Sequence, residues 1–380
     1  MVAIDSYAGG DGRLSPLSTP SATRAVLEAH GIGTKYTLGQ NFLVNDDVLK
    51  KIVALAEVGE NDRILEVGPG IGTLTIALLK HAAGVVAIER DPDLPAVLAD
   101  TLHPWREKFA LIEKDALDVT RDDIVAAMVE IGGDTGYPDR ASSAANETAQ
   151  WAVSQSEDCL SESGCPVAPP QEDLQLSLPN KLVANLPYAV AATVVLDYFE
   201  SFPFLDSATI MVQKEVADRM AAAVGTKNYG AYTVKLGLYA EPVGRFAVGP
   251  GNFFPPPRVD SAVIRLNRRV PLMADGAPAS PEVIAAAALM ADAAFTNRRK
   301  TIANSCKTYF SGRGPILLGV ADSSAAEGAP TIALPDGAAT AERLPAIFEV
   351  AAIDPRRRGE TLTQQEFLAL GAALLKVTAA

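Results

Sequence analysis

Between residues 61 and 115 the chain alternates short apolar, β-branched runs with stretches of helical periodicity, and this alternation restricts its fold more than any other feature. Strands are expected at 63–67, 85–89 and 110–113, with helices at 74–80 and 94–102 between them. Strands recur at 182–184 and 208–212, and 259–266 is a later candidate. Repeated βα units lead to a mainly parallel, doubly wound sheet, because each parallel pair needs a crossover long enough to hold a helix. Beyond 266 the character changes: 281–310 is a helical stretch of Ala, Leu and Met, and 342–376 is helical around a turn at Asp354-Pro355. The expectation is an α/β, Rossmann-like sheet with a small all-helical C-terminal domain. We divide the chain into an N-terminal extension (1–33), the sheet domain (34–270) and the helical domain (271–380).

Two stretches interrupt this plan. Residues 118–180 open with a helix at 122–131 and continue as Gly, Ser, Ala, Pro and acid, too little apolar surface to offset chain entropy, so 132–178 is expected to be a mobile surface insertion. Residues 311–341, rich in Gly, Ala and Ser, are expected to be a second loop insertion. The first insertion dominates the charge. The chain carries a net −13, but 118–179 holds twelve acidic residues against Arg121 and Arg140, leaving only −3 elsewhere. A polyanionic partner is therefore not excluded by the global charge.

Three cysteines (Cys159, Cys165, Cys306) make no disulfide framework, and His30, His81 and His103 lie scattered without metal-ligand spacing. Chemistry here is expected to avoid zinc, thiolate and histidine. The longest apolar run, 283–291, falls short of the roughly 20 residues of a membrane span, and the N-terminus shows no signal-peptide pattern. A cytoplasmic protein, not bound to membranes, is expected.

Glu66-Val67-Gly68-Pro69-Gly70-Ile71-Gly72 follows the first strand and opens a helix, as a loop that approaches a ligand closely should. Glu89 ends the second strand, 21 residues after Gly68, where a carboxylate can accept from ribose hydroxyls. A nicotinamide enzyme could share these features. The G-P-G-I-G spacing, with Thr73 three residues after Gly70, departs from the dinucleotide fingerprint and tilts the reading to S-adenosylmethionine. Asp115, just past the third strand, is a candidate acceptor for an adenine amino group, with a helix cap as its alternative role.

Asn185-Leu186-Pro187-Tyr188 ends the fourth strand. An exocyclic amine conjugated to a purine is a poor nucleophile. Two acceptors, the Asn185 amide oxygen and the Leu186 carbonyl held by Pro187, can grip its hydrogens and aim its lone pair. Tyr188 supplies a stacking surface. As a bare tetrapeptide this is equally a strand-ending turn.

With Leu38-Gly39-Gln40-Asn41-Phe42-Leu43, Gln213-Lys214-Glu215-Val216, 254–263 (FPPPRVDSAV) and 295–301 (FTNRRKT), these segments resemble the bacterial small-subunit ribosomal RNA adenine N6-dimethyltransferases, relatives of the erythromycin-resistance methylases. The match runs in order through most of 34–310. It implies a class I S-adenosylmethionine-dependent methyltransferase sheet, with Asn41, Leu43, Gly68, Glu89, Asp115 and Asn185 around the cofactor. It also implies Phe254 as a second aromatic opposite Tyr188, sandwiching a flipped adenine, with Asn185 to Tyr188 and Phe254 as the catalytic set. The implied substrate is a pair of adjacent adenosines in the 3′-terminal hairpin loop of 16S rRNA, met by a monomer within the immature small subunit. Arg258, Arg298, Arg299 and Lys300 are candidate RNA contacts, and Arg265, Arg268 and Arg269 could join them. Alternatives are a large-subunit rRNA methylase with a similar core, or a non-catalytic RNA-binding assembly factor on the same fold.

Overall fold

The computed structural model describes residues 12–33, 40–131, 178–319 and 331–379. The chain enters through helix α1 (Pro20–Ala29), strand β1 (Phe42–Leu43) and helix α2 (Asp46–Ala56). Both helices start on side-chain caps: Thr19 accepts from the Ala22 amide, and Asn45 from those of Asp47 and Val48. These caps satisfy donors that a first helical turn leaves unpaired.

The βα alternation follows as β2 (Arg63–Val67), α3 (Thr73–Leu79), β3 (Gly84–Ile88), α4 (Pro95–Thr101), β4 (Phe109–Ile112), α5 (Arg121–Ile131), β5 (Lys181–Asn185), α6 (Ala191–Ser201) and β6 (Ser207–Gln213). Helices α7 (Lys214–Met220) and α8 (Ala231–Gly237), then β7 (Ala240–Val248), β8 (Phe253–Phe254) and β9 (Ser261–Arg268) complete this part. The sheet has the order β4-β3-β2-β5-β6-β9-β7. Strands β2 to β6 run parallel, and β9 is antiparallel to both neighbours. Successive residues feed opposite cores: Leu65 and Val86 enter one apolar cluster, Ile64 and Val85 the other. Covered on both faces, these strands read as nearly unbroken apolar runs.

Strand β7 was not anticipated. It forms one edge of the sheet, holds Pro242 and a register shift between Pro242 and Gly244, and has several exposed residues, as an edge strand permits. Strand order reverses at β2, whose neighbours β3 and β5 lead to opposite sides. A crevice therefore opens beyond the carboxyl ends of β2 and β5, where doubly wound sheets hold ligands.

Helices α9 (Pro281–Phe295), α10 (Ile302–Ser311), α11 (Gly337–Val350) and α12 (Gln364–Thr378) build the C-terminal part. Two expectations need correction. Within 311–341, taken as loop, β10 (Ile316–Gly319) pairs antiparallel with β11 (Thr331–Leu334), and Leu318 and Leu334 are buried in the helical core. The boundary at 270 is also not clean. Tyr229 and Val234 are buried among the C-terminal helices, the Tyr229 hydroxyl donates to the Leu362 carbonyl at 2.8 Å, and Arg269 donates to the Gln364 side chain. Most of the acidic insertion lies outside the described residues; its opening helix, α5, is formed as expected.

Candidate active site

The crevice holds a cavity of about 520 Å³, the size of a small-molecule site. One wall is the loop after β2. Gly68 and Gly70 have φ of +71° and +60°, and a Cβ on Gly70 would come within 3.1 Å of the Phe42 ring. Glycine there lets the loop turn sharply while β1 packs over it. Thr73 and Leu74, at the start of α3, continue the wall.

Glu89 follows β3 and faces the cavity. One of its carboxylate oxygens accepts from the backbone amides of Arg90 and Asp91, both at 2.9 Å. Burial raises its pKa, and those amides oppose the rise. Asp115 takes the cap role considered for it and also faces the cavity. It caps a short 3-10 turn by accepting from the Leu117 amide, and it lines the cavity. Its other oxygen accepts from Arg90 at 2.8 Å, which holds its carboxyl below the usual range.

Across the cavity, the Asn185 side-chain Nδ2 donates to the Asn41 carbonyl at 3.2 Å. With the amide turned this way its Oδ1 is an acceptor with no partner among the described residues. The Leu186 amide donates to Met211 in β6, while no described donor reaches the Leu186 carbonyl. Tyr188 lines the cavity half-buried, its hydroxyl 2.6 Å from that of Ser261. That bond fixes the ring from its far end. Asn41 and Leu43 also line the cavity, so nine of the expected site residues (Asn41, Leu43, Gly68, Glu89, Asp115 and Asn185 to Tyr188) converge on one space.

Phe254 stands apart from that set. It pairs with Phe42 in the β1–β8 ladder but is not among the cavity's lining residues, and the Arg24 guanidinium lies 5.4 Å from its ring centroid. One face of the ring is thus covered by a cation from α1.

Several lining residues had no role assigned from sequence: Gln40, Arg90, Gln213 and above all Glu66. Glu66 is 1% exposed, its Oε2 has no partner in hydrogen-bonding geometry, and burial, opposed by the neighbouring Thr75 hydroxyl and aided by the Glu89 charge, pushes its carboxyl up to about 8. The available signal was an acid in an otherwise apolar strand, Arg-Ile-Leu-Glu-Val. An unpartnered buried acceptor is costly, and a cationic ligand group in the cavity would offset that cost.

The basic residues divide. Arg258, Arg299 and Lys300 are exposed, and Arg298, also exposed, pairs with Glu360 at 3.3 Å. The three arginines of β9 and its end do not belong with them. Arg268 donates to the carbonyls of Phe199, Phe202 and Leu205; Arg265 donates to that of Leu55 and pairs with Glu57; Arg269 is bonded to Gln364. These three hold the fold together.

Among the described residues no helix is long and apolar enough to cross a membrane, and no group of three or more His, Cys, Asp or Glu could hold a metal ion. Cys306 is buried and unpaired; Cys159 and Cys165 lie outside the described residues.

The sequence pattern of the ribosomal RNA adenine dimethylases matches residues 33–327. The chain belongs to this family. It is 33% identical over 361 residues to the ribosomal RNA small subunit methyltransferase A of a Geobacillus species, covering 95% of this chain and 98% of that one. The protein of the same description from Enterococcus faecalis is also 33% identical, over 364 residues, covering 95% and 97%. A crystal structure of a dimethyladenosine transferase from Plasmodium falciparum superposes with a TM-score of 0.55 at 19% identity, covering 88% and 98%. That last likeness concerns the fold, a Rossmann-like methyltransferase sheet. As a member of this dimethylase family, the chain is an rRNA adenine dimethyltransferase, and its acceptor is RNA. Helix α1, with Arg24, lies before the matched segment.

Proposed function

We propose that the protein transfers methyl groups from S-adenosylmethionine to N6 of two adjacent adenosines in the 3′-terminal hairpin loop of 16S rRNA, giving N6,N6-dimethyladenosines as the small subunit matures in the cytoplasm. We further propose that it acts as a monomer on the partly assembled subunit. The observation that carries the reading is the orientation of Asn185. Its Nδ2 is held by the Asn41 carbonyl, so its Oδ1 and the Leu186 carbonyl remain as two acceptors on adjacent residues lining one cavity.

The residues present suit the cofactor. Glu66 Oε2 is a buried acceptor without a partner, which fits an ammonium group, and Glu89 and Asp115 offer carboxylates for a ribose and an adenine amine. Asn41, Leu43 and Gly68 would enclose it. S-adenosylmethionine supplies there an electrophilic methyl group on a sulfonium.

On the acceptor side, the two carbonyl-type oxygens accept the N6 hydrogens, turn the lone pair out of the ring plane and aim it at the methyl carbon. Tyr188, fixed by Ser261, provides a face for the extruded base. Unpaired loop bases reach such a pocket at modest cost. No general base is needed, since the amine acquires a positive charge as it is methylated and then loses its proton to solvent. Phe254 would stack on the purine with the face that Arg24 leaves open.

The reading is tested by offering labelled S-adenosylmethionine with unmethylated small or large subunits. Transfer to the small subunit alone is expected. Transfer to the large subunit would replace the reading with the resistance-type activity, and binding of both RNA and cofactor without transfer would favour an assembly factor.

A further inference from the structure

Several exposed cations of this protein are neutralised locally. Lys50 pairs with Asp46, Arg90 with Asp115, Lys114 with Asp123, Lys214 and Arg245 with Asp218, Arg298 with Glu360 and Arg356 with Asp354. Such pairing is what a chain of net −13 favours. The start and outer side of helix α10 carry two cations that are not paired in this way. Along its outer side a shallow depression of about 450 Å³ is lined by Asn297, Lys300, Asn304, Lys307, Thr308 and Ser311. All six are polar, two are cationic and none is acidic. Lys300 and Lys307 are exposed and have no ion-pair partner among the described residues.

The depression is rigidly mounted. The opposite side of α10 buries Ile302, Cys306 and Phe310, and Ser305 donates to the Ala293 carbonyl at 2.9 Å. Thr301 caps the helix by accepting from the Asn304 amide. Residues 304 to 311 therefore present a fixed row about 10 Å long at 1.5 Å per residue. The Pro355 and Arg357 carbonyls accept from the Ala303 and Ile302 amides, which brings the exposed Arg358 towards the same end of the helix as Arg299.

We infer that this depression binds backbone phosphates of the structured RNA that flanks the target loop, with Lys300 and Lys307 supplying charge and Asn304 and Ser311 hydrogen bonds. The inference rests on the RNA-methylating reading above and adds a site outside the catalytic cavity. A row of amide, hydroxyl and ammonium groups without apolar surface suits a phosphate backbone, which is recognised by charge and shape. It offers no apolar anchor for a protein partner. The contribution should fall on affinity and its salt dependence, leaving the chemical step unaffected.

The test compares the full-length wild type with Lys307→Glu, with Lys307→Arg, and with Lys108→Glu, the last reversing an exposed lysine beside β4 at the far edge of the sheet. Binding of a 16S 3′-terminal RNA fragment is measured from about 50 to 200 mM salt, together with cofactor binding and the rate at saturating RNA. Lys307→Glu should weaken RNA binding about three- to tenfold near 100 mM salt and lower the slope of log K against log salt by about one. Lys307→Arg and Lys108→Glu should stay within about twofold, and cofactor affinity and saturated rate should not change. If the wild type binds RNA with the usual salt dependence and Lys307→Glu does the same, the site is refuted while the RNA reading stands; an acidic protein partner on this face would give that result. If the wild type binds no RNA, both fail.

Discussion

Replacing Asn185 by Ala removes two interactions with separable consequences. The Nδ2 bond to the Asn41 carbonyl is 3.2 Å long, between neutral groups and partly buried, so its loss should cost about 1 kcal/mol. Because Asn41 lines the cofactor side of the cavity, that loss is expected as a weakening of cofactor binding by no more than about fivefold. The Oδ1 acceptor acts on the amine during methyl transfer. At about 1.5 kcal/mol or more in the transition state it accounts for at least a tenfold drop in kcat. Asn185→Asp retains an acceptor and loses the donor, so its kcat should lie above that of the alanine variant. The assay is single-turnover transfer of labelled methyl groups at saturating RNA and cofactor, with cofactor affinity measured by calorimetry. A folded Asn185→Ala enzyme with kcat within twofold of the wild type would refute this role.

Three further outcomes are expected. Tyr188→Phe gives up the bond to Ser261 and keeps the stacking face, so it should lose less than about fivefold in kcat/KM, whereas Tyr188→Ala should lose about tenfold or more, stacking being worth roughly 1–3 kcal/mol; equal losses would contradict the stacking role. Glu66 has its folded pKa raised from 4.5 to about 8, so its stabilising contribution is complete below pH 4.5 and is lost as pH rises through 8. Cofactor-free wild type should lose stability between pH 5 and 8, by at most about 5 kcal/mol, and Glu66→Gln should remove that decline in denaturant titrations; parallel profiles would contradict it. At Gly371 an added Cβ would lie 2.6 Å from the Ala287 amide nitrogen and 2.7 Å from the Val283 carbonyl oxygen, so Gly371→Ala should destabilise the packing of α12 on α9 by about 1–3 kcal/mol, read as a lower melting temperature.

The parts of the site legible in the sequence are those built from contiguous residues at the ends of strands. The Gly68 to Gly72 loop, Glu89, Asp115 and Asn185 to Tyr188 each follow a strand whose apolar run marks it, and parallel strands bring those ends together. The sequence says less where a residue's role depends on remote partners. Arg265 and Arg268 look like a basic stripe beside Arg258, yet their guanidinium groups reach the carbonyls of Leu55, Phe199, Phe202 and Leu205, far away in the chain. Strand β7 lacks the periodicity of a core strand because it lies at an edge. The β10–β11 ladder joins short segments within a stretch whose composition suggests a loop. Arg24 reaches Phe254 across more than two hundred residues, and only a folded structure brings them together.

The central claim is the chemistry at N6, and nucleoside mapping tests it directly. Unmethylated small subunits are incubated with the protein and S-adenosylmethionine, the 3′-terminal rRNA fragment is isolated, and its nucleosides are identified by mass spectrometry and located by fragment sequencing. Two adjacent N6,N6-dimethyladenosines in the hairpin loop are expected. Methyl groups on another atom or at another position, or none under conditions where the cofactor binds, would contradict the account.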